Sequence, residues 1–275
     1  MTIETRALIK IASRRQPKEA SQPPIAEANW TFYRPEHAHE DLLALCHIFT
    51  QIRSELNRLR ASFLDCGCGD GVAALTANKA GFETVYGIEK NRLLLNRARE
   101  NLSAYVSQKG NLGLINFFHG SYYELLPNNL EIISQARQQL TSLYEQEGVF
   151  DSPNFKDYVQ ALLNNEENSL SINNLLKNYL FPNQNSQFRE AGIIKRGQLD
   201  IDVVYIYPSD IFFDNIFLPQ IGQAMKEGSL LAVLTPEDDP IRTEANLLQE
   251  KETLSFPNHA KTPMVLQIFQ KKPQV

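Results

Sequence analysis

The order of apolar and amphipathic segments predicts an α/β domain built on a parallel sheet. Three observations carry this. Between residues 36 and 120, short apolar runs alternate with helical stretches, the pattern of strands joined by right-handed crossovers. A glycine-rich turn, Asp65-Cys66-Gly67-Cys68-Gly69-Asp70-Gly71, separates one such run from the helix that follows it. Ile201 to Tyr207 is apolar enough for a strand covered on both faces.

Taken in order, Pro23, Pro24 and Pro35 keep the first stretch extended, so residues 1–35 are expected as an N-terminal arm and 36–275 as the domain. Arg6, Lys10, Arg14, Arg15 and Lys18 make residues 1–20 locally basic, as in a solvated tail. Leu42, Leu45, Phe49, Ile52, Leu56 and Leu59 recur at helical spacing and predict one apolar stripe. Phe63 and Leu64 lead into the glycine turn, and Val72 to Ala80 reads as a helix. Phe82 to Ile88 is a second strand. Asn91 caps a helix bearing Leu94, Leu95, Ala98, Leu102 and Tyr105, and Leu112 to His119 is a third strand. From about 128 to 187 the alternation stops. Asn and Gln make up 18 of these 60 residues; a structureless loop of that length is improbable in a compact domain, and Leu140, Leu143, Leu162, Leu163, Leu175, Leu176 and Leu180 predict helices that dock on the main body. This segment is expected as an insertion, either a surface embellishment or an acceptor-side cap. Ile211 to Lys226 reads as a helix stopped by Gly228, Leu230 to Leu234 as a fifth strand, and Thr253 to Phe256 with Met264 to Phe269 as a closing antiparallel hairpin.

Composition narrows the class of function. The chain has 275 residues, enough for a core held by burial alone. A net charge of -5 supplies no basic field for a phosphate backbone, so nucleic acid is not favoured as a partner. Cys46, Cys66 and Cys68 fit neither a disulfide framework nor zinc-ligand spacing, which predicts a reducing, cytoplasmic setting. No apolar run approaches the ~20 residues that cross a bilayer, so no membrane partner is expected. His37, His39 and Cys46 lack the supporting ligands of a metal site and read as a surface group, and no metal is expected.

The glycine turn is the most informative feature. Glycines at 67, 69 and 71 let a ligand approach the backbone and tolerate a tight strand-to-helix turn. A dinucleotide fingerprint requires a further glycine where this chain has Val72, and no Gly-Lys-Ser or Gly-Lys-Thr phosphate loop exists, so NAD and ATP lose ground. Glu89 falls 20 residues after Gly69 at a strand end, where a carboxylate accepts hydrogen bonds from both hydroxyls of a ribose. Asp65 precedes the turn and can meet a ligand ammonium group or backbone N–H groups. Cys66 and Cys68 read as small residues in a tight loop. Tyr205 and Tyr207 point to one face of their strand, one toward the core and one toward the reaction centre.

Phe63 to Gly71, Val85 to Lys90, Phe118 to Ser121, Asp202 to Pro208 and Glu227 to Leu231 together resemble the ordered motifs of class I S-adenosylmethionine-dependent methyltransferases. The resemblance covers roughly 60–126 and 198–272. It implies a Rossmann-like, seven-stranded, mostly parallel sheet with an antiparallel last strand, preceded by an N-terminal helix and interrupted by the helical insertion. It implies S-adenosyl-L-methionine as cofactor, with Asp65, Gly67 and Gly69 around the methionine part, Glu89 on the ribose and Ser121 near adenine, where many members carry an acid. Cys68, Lys90 and Tyr207 complete the expected cofactor set. An aromatic upstream, Trp30 or Tyr33, reaches the cofactor in related enzymes or anchors the arm.

The expected function is therefore methyl transfer to an unidentified acceptor, with no catalytic residue named. The spacing after Glu89 and the Lys226-Glu227-Gly228 segment are similar to those of protein-lysine methyltransferases, which makes protein one acceptor to consider. Two alternatives stand beside it. One is a cofactor-binding interaction module or pseudoenzyme, since fold alone does not guarantee chemistry. The other is an aminopropyltransferase-like enzyme, which Gly67 to Gly71 with Asp70 also resembles, although Tyr207-Pro208 stands where that family supplies an Asp and the nearest carboxylate is Asp210.

Overall fold

The structure, a computed structural model, describes residues 38–109, 113–127, 129–145, 169–181, 187–195, 198–207, 213–241, 247–256 and 263–273. Among these residues the order begins with helix α1 (Ala38–Glu55), then β1 (Ser62–Cys66), α2 (Val72–Lys79), β2 (Thr84–Glu89), α3 (Arg92–Lys109) and β3 (Leu114–His119). After a 3-10 turn at Tyr122–Leu125 come α4 (Asn129–Glu145), α5 (Ser169–Leu180) and the one-turn α6 (Gln187–Glu190). The short strands β4 (Ile194–Lys195) and β5 (Gln198–Leu199) precede β6 (Val203–Ile206), and a π-helical turn at Phe213–Phe217 runs into α7 (Leu218–Ala224). The chain closes with β7 (Leu230–Pro236), β8 (Leu248–Phe256) and β9 (Met264–Lys271).

Seven strands form one sheet in the order β3-β2-β1-β6-β7-β9-β8. Pairing is parallel from β3 to β7, while β9 runs antiparallel to both of its neighbours. This is the seven-stranded, mostly parallel α/β architecture with an antiparallel last strand that the sequence predicts. The strand order reverses between β1 and β6, and in open α/β sheets such a switch point leaves a crevice at the carboxyl ends of the strands. The glycine turn follows β1 at that place.

Both sheet faces are covered, because strand side chains alternate. Phe63, Val85, Phe117, Val203, Tyr205 and Leu266 join the apolar faces of α1, α2 and α3 in one layer. Rings interlock there: Phe49 meets Phe63 at 4.9 Å and Tyr205 at 5.3 Å, edge-on, each pair contributing about 0.5–1.5 kcal/mol beyond area burial. Leu64, Ile88, Val204, Ile206 and Leu231 face the other layer, formed by α4, α5, α6 and α7. The segment expected as a docked insertion thus supplies core. Ile132, Ala136, Leu176 and Leu180 are buried on the sheet and Leu140 is half-buried, while the side chains of Leu143, Leu162, Leu163 and Leu175 lie outside the described residues.

Some boundaries differ from the sequence reading, for local reasons. The α1 stripe ends at Ile52 with Leu56 half-buried; Leu59 is 98% exposed, because Asn57 turns the chain at φ 44 and breaks the period. Strand β2 begins two residues later than expected, since the Phe82 N–H is held by the carbonyl of Ala77 at the end of α2. The helix expected over Ile211 to Lys226 is described from Phe213, as a π turn and then α7, and it ends at Ala224; Met225 pairs with Leu199 in an isolated bridge. The hairpin of β4 and β5 had no sequence signal. Among the described residues, no helix is long and apolar enough to cross a membrane.

Candidate functional site

The site is assembled from the ends of neighbouring strands. Asp65, only 2% exposed, lies in register with Gly87 on one side and Tyr205 on the other, and Cys66 is flanked by Ile88 and Ile206. The chain then leaves the sheet in a turn held by its own backbone. The N–H groups of Gly67 and Cys68 both donate to the Ile88 carbonyl at 2.9 Å, and Gly71 N–H donates to the Cys68 carbonyl at 2.8 Å.

All three glycines of the turn have positive φ, 79° at Gly67, 56° at Gly69 and 82° at Gly71, a region that Cβ-bearing residues rarely adopt. Their surroundings differ. Among the described residues, a Cβ on Gly67 or Gly69 would meet nothing within 4 Å, so both face open space there. One on Gly71 would lie 2.6 Å from Phe117 Cζ and 3.0 Å from Ala98 Cβ. The first two glycines thus border space, and the third lets α2 pack.

Glu89 closes the site. Its Oε2 accepts from Gly69 N–H at 2.8 Å and its Oε1 from Asn91 N–H at 2.7 Å, so one buried carboxylate ties the glycine turn to the start of α3. Burial raises the Glu89 pKa above the ordinary carboxylate value, against the opposing effect of the backbone N–H groups of Asn91, Gly69 and Lys90 and the nearby His119. A carboxylate has about four lone-pair sites, so capacity remains beyond these backbone N–H groups. Asn91 caps α3 as expected, its Oδ1 accepting from Leu93 N–H at 2.9 Å.

The other predicted residues cluster around this pair. Gly120 N–H donates to the Glu89 carbonyl at 3.0 Å, bringing the end of β3 alongside; Ser121 is buried there, and its Oγ accepts from Tyr123 N–H at 3.3 Å as the cap of the 3-10 turn. Tyr207 follows β6, next along from the Cys66–Ile206 register, and burial raises its hydroxyl pKa. Tyr205 is in the core, as one of the two tyrosines was expected to be. Lys90 exposes its side chain, and its carbonyl lies 3.0 Å from His119 Nε2. Cys68 sends its side chain into the first core layer, so what it presents at the turn is backbone. Burial, reinforced by the Asp65 carboxylate, pushes the Cys66 and Cys68 thiols well above their ordinary range, which keeps them protonated and poorly nucleophilic.

Asp202 lies apart, at the amino edge of β6. It accepts from Ser62 N–H at 2.8 Å and Ser62 Oγ at 2.9 Å, and it pairs with Lys226 at 2.9 Å and with Arg58. It braces the sheet at the edge opposite the turn. Trp30, Tyr33, His37 and Pro208 to Asp210 lie outside the described residues, as does the side chain of His39.

Sequence reasoning missed three supporting residues. Asn91 read only as a cap, although its N–H also fixes Glu89. Asn101 Nδ2 donates to the Asp70 carbonyl at 2.9 Å and holds the turn from α3. Phe117 fills the space that Gly71 and Gly87 leave. The glycine at 87, inside an apolar strand, was the available signal for a close approach there.

No family model matches the chain, and no curated protein matches its sequence. Similar shapes do occur among solved structures. A candidate methylase of Haemophilus influenzae is 12% identical with a TM-score of 0.45, over 82% of this chain and 89% of that one. A candidate RNA methyltransferase of Pyrococcus horikoshii is 12% identical with a TM-score of 0.45, over 99% of this chain and 100% of that one. The magnesium protoporphyrin IX methyltransferase of Synechocystis, solved with bound S-adenosylmethionine, is 10% identical with a TM-score of 0.44, over 98% and 99%. Identities and scores of this size carry no activity from those proteins to this chain.

Proposed function

We propose that the chain is an S-adenosylmethionine-dependent methyltransferase. The observation that carries the reading is the Glu89 carboxylate, joined to Gly69 N–H at 2.8 Å beside the open space at Gly67 and Gly69, at the switch point of the sheet. A buried carboxylate with remaining acceptor capacity suits the two hydroxyls of a ribose. Open glycine backbone suits the thioether chain, and the buried carboxylate of Asp65 suits the ammonium of the methionine part. Ser121 and the 3-10 turn border the adenine side, and Tyr207 borders the acceptor side.

When bound, S-adenosylmethionine supplies a methyl group on a sulfonium that leaves as a neutral thioether. The contribution of the chain is then mostly orientation, which is worth several kcal/mol when reacting atoms are held near attack geometry. Glu89 and the turn hold the ribose and fix where the methyl points. Core packing on both faces of β1 and β6 excludes water from beneath the cleft.

The test is calorimetric titration of the full chain with S-adenosylhomocysteine and S-adenosylmethionine, followed by incubation with methyl-labelled cofactor and fractionated cell extract. Saturable binding and S-adenosylhomocysteine formed in step with a labelled acceptor are expected. Binding without turnover in any fraction would favour a cofactor-dependent interaction module. Methylthioadenosine released from the decarboxylated cofactor, together with a lengthened polyamine, would establish aminopropyl transfer instead.

A further inference from the structure

The following inference deepens the reading above and rests on it. We propose that Phe117, a β3 residue outside every recognised motif, is a positioning residue for the cofactor turn, acting through Gly71 and Gly87. The geometry is a wedge. Gly87 and Phe117 are register partners on adjacent parallel strands, and the ring leans across Gly87 toward the start of α2. A Cβ on Gly87 would lie 2.5 Å from Phe117 Cδ1 and 2.7 Å from Cε1; one on Gly71 would lie 3.0 Å from the same Cε1 and 2.6 Å from Cζ. One ring edge therefore spans both glycines.

Gly87 is the telling position. Unlike the three glycines of the turn it does not have positive φ, so its backbone would accept any residue, and what excludes a side chain is the ring together with Cys68 Sγ, 2.8 Å from the same point. The glycine makes room for the wedge. Phe117 then sets how far the 67–71 turn stands from the sheet, and with it the alignment of Gly69 N–H on Glu89 two residues beyond Gly87. Asn101, holding the Asp70 carbonyl at 2.9 Å, fixes the same turn sideways. A ring that served only to fill the core would not need to touch both the turn and the strand that carries Glu89.

The experiment is a double-mutant cycle on the full chain with Gly87→Ala, Phe117→Val and the pair. It is read by S-adenosylhomocysteine affinity and by hydrogen exchange at the Gly69 amide. Each single change is expected to weaken binding about tenfold and to speed Gly69 exchange, since small misplacements in a binding constellation are costly. In the pair, the alanine methyl occupies part of the space the ring vacates, so binding and protection recover above the product of the single effects. Folded single variants with wild-type affinity and Gly69 protection would overturn the proposal, as would single effects that simply multiply in the pair. Should Gly87→Ala not fold, Phe117→Val decides alone: near-native circular dichroism with weakened binding supports the wedge, and unchanged binding refutes it. If the wild-type protein fails to bind S-adenosylhomocysteine, the methyltransferase reading falls, while Gly69 exchange in the same variants still reports whether Phe117 positions the turn.

Discussion

Replacing Glu89 with glutamine tests the centre of the site with the least change in shape. In the native chain the two carboxylate oxygens accept N–H groups of Gly69 at 2.8 Å and Asn91 at 2.7 Å. A side-chain amide can accept only one of these, so its NH2 must face the other donor. The stranded backbone N–H sits beside a side chain only 8% exposed, and leaving it unmet costs about 1–3 kcal/mol of turn stability. On the ligand side, a ribose hydroxyl loses its charged acceptor, a further loss of about 1.5–3 kcal/mol. Affinity for S-adenosylhomocysteine and S-adenosylmethionine should fall together, by about ten- to a hundredfold, because both carry the same ribose. The assay is isothermal titration at neutral pH, with circular dichroism to confirm the fold. Unchanged affinity for both ligands in a folded Glu89→Gln variant would remove Glu89 from the ligand site and refute the reasoning.

Four further outcomes are expected. Gly69→Val places a branched Cβ at φ 56 in the open space beside Glu89, so it should abolish S-adenosylhomocysteine binding in titration while circular dichroism stays near native. Because burial raises the Glu89 pKa and the ribose needs the ionised form, affinity should decline on acidification, with a midpoint above the ~4.3 of an exposed glutamate; a midpoint at or below that value would count against that role. The Asp202 carboxyl is pushed up by burial, but Ser62 N–H, Lys226 and Ser62 Oγ outweigh this and hold its pKa low. It therefore adds stability above the unfolded value near ~3.9, lost as pH falls through the lower folded value. Asp202→Asn should cost about 1–3 kcal/mol in urea melts at neutral pH and leave ligand affinity unchanged, since the residue braces the opposite edge of the sheet. Finally, Leu180→Ala should destabilise the fold by about 2–5 kcal/mol, a core value that a merely docked surface segment would not give.

The sequence by itself determined the features that depend on short-range sterics and period. Strand and helix alternation was readable because side chains repeat at 2 and 3.6 residues, the strand-to-helix turn because Gly67, Gly69 and Gly71 permit backbone that other residues resist, and the start of α3 because Asn91 can cap it. Tertiary structure decided the rest, because the deciding contacts join residues far apart in the chain. Glu89 was placed at a strand end by spacing, but only folding set its oxygens on Gly69 N–H and Asn91 N–H. The 129–180 helices carried too irregular a pattern to be recognised as a core layer, and they became one by meeting Leu64, Ile88 and Val204. Asp202 read only as the start of the 202–208 motif, and its pairing with Arg58, 144 residues away, shows that it braces the other edge. Phe117 looked like any strand phenylalanine, since nothing in a linear pattern shows that its ring leans across Gly87 to touch Gly71.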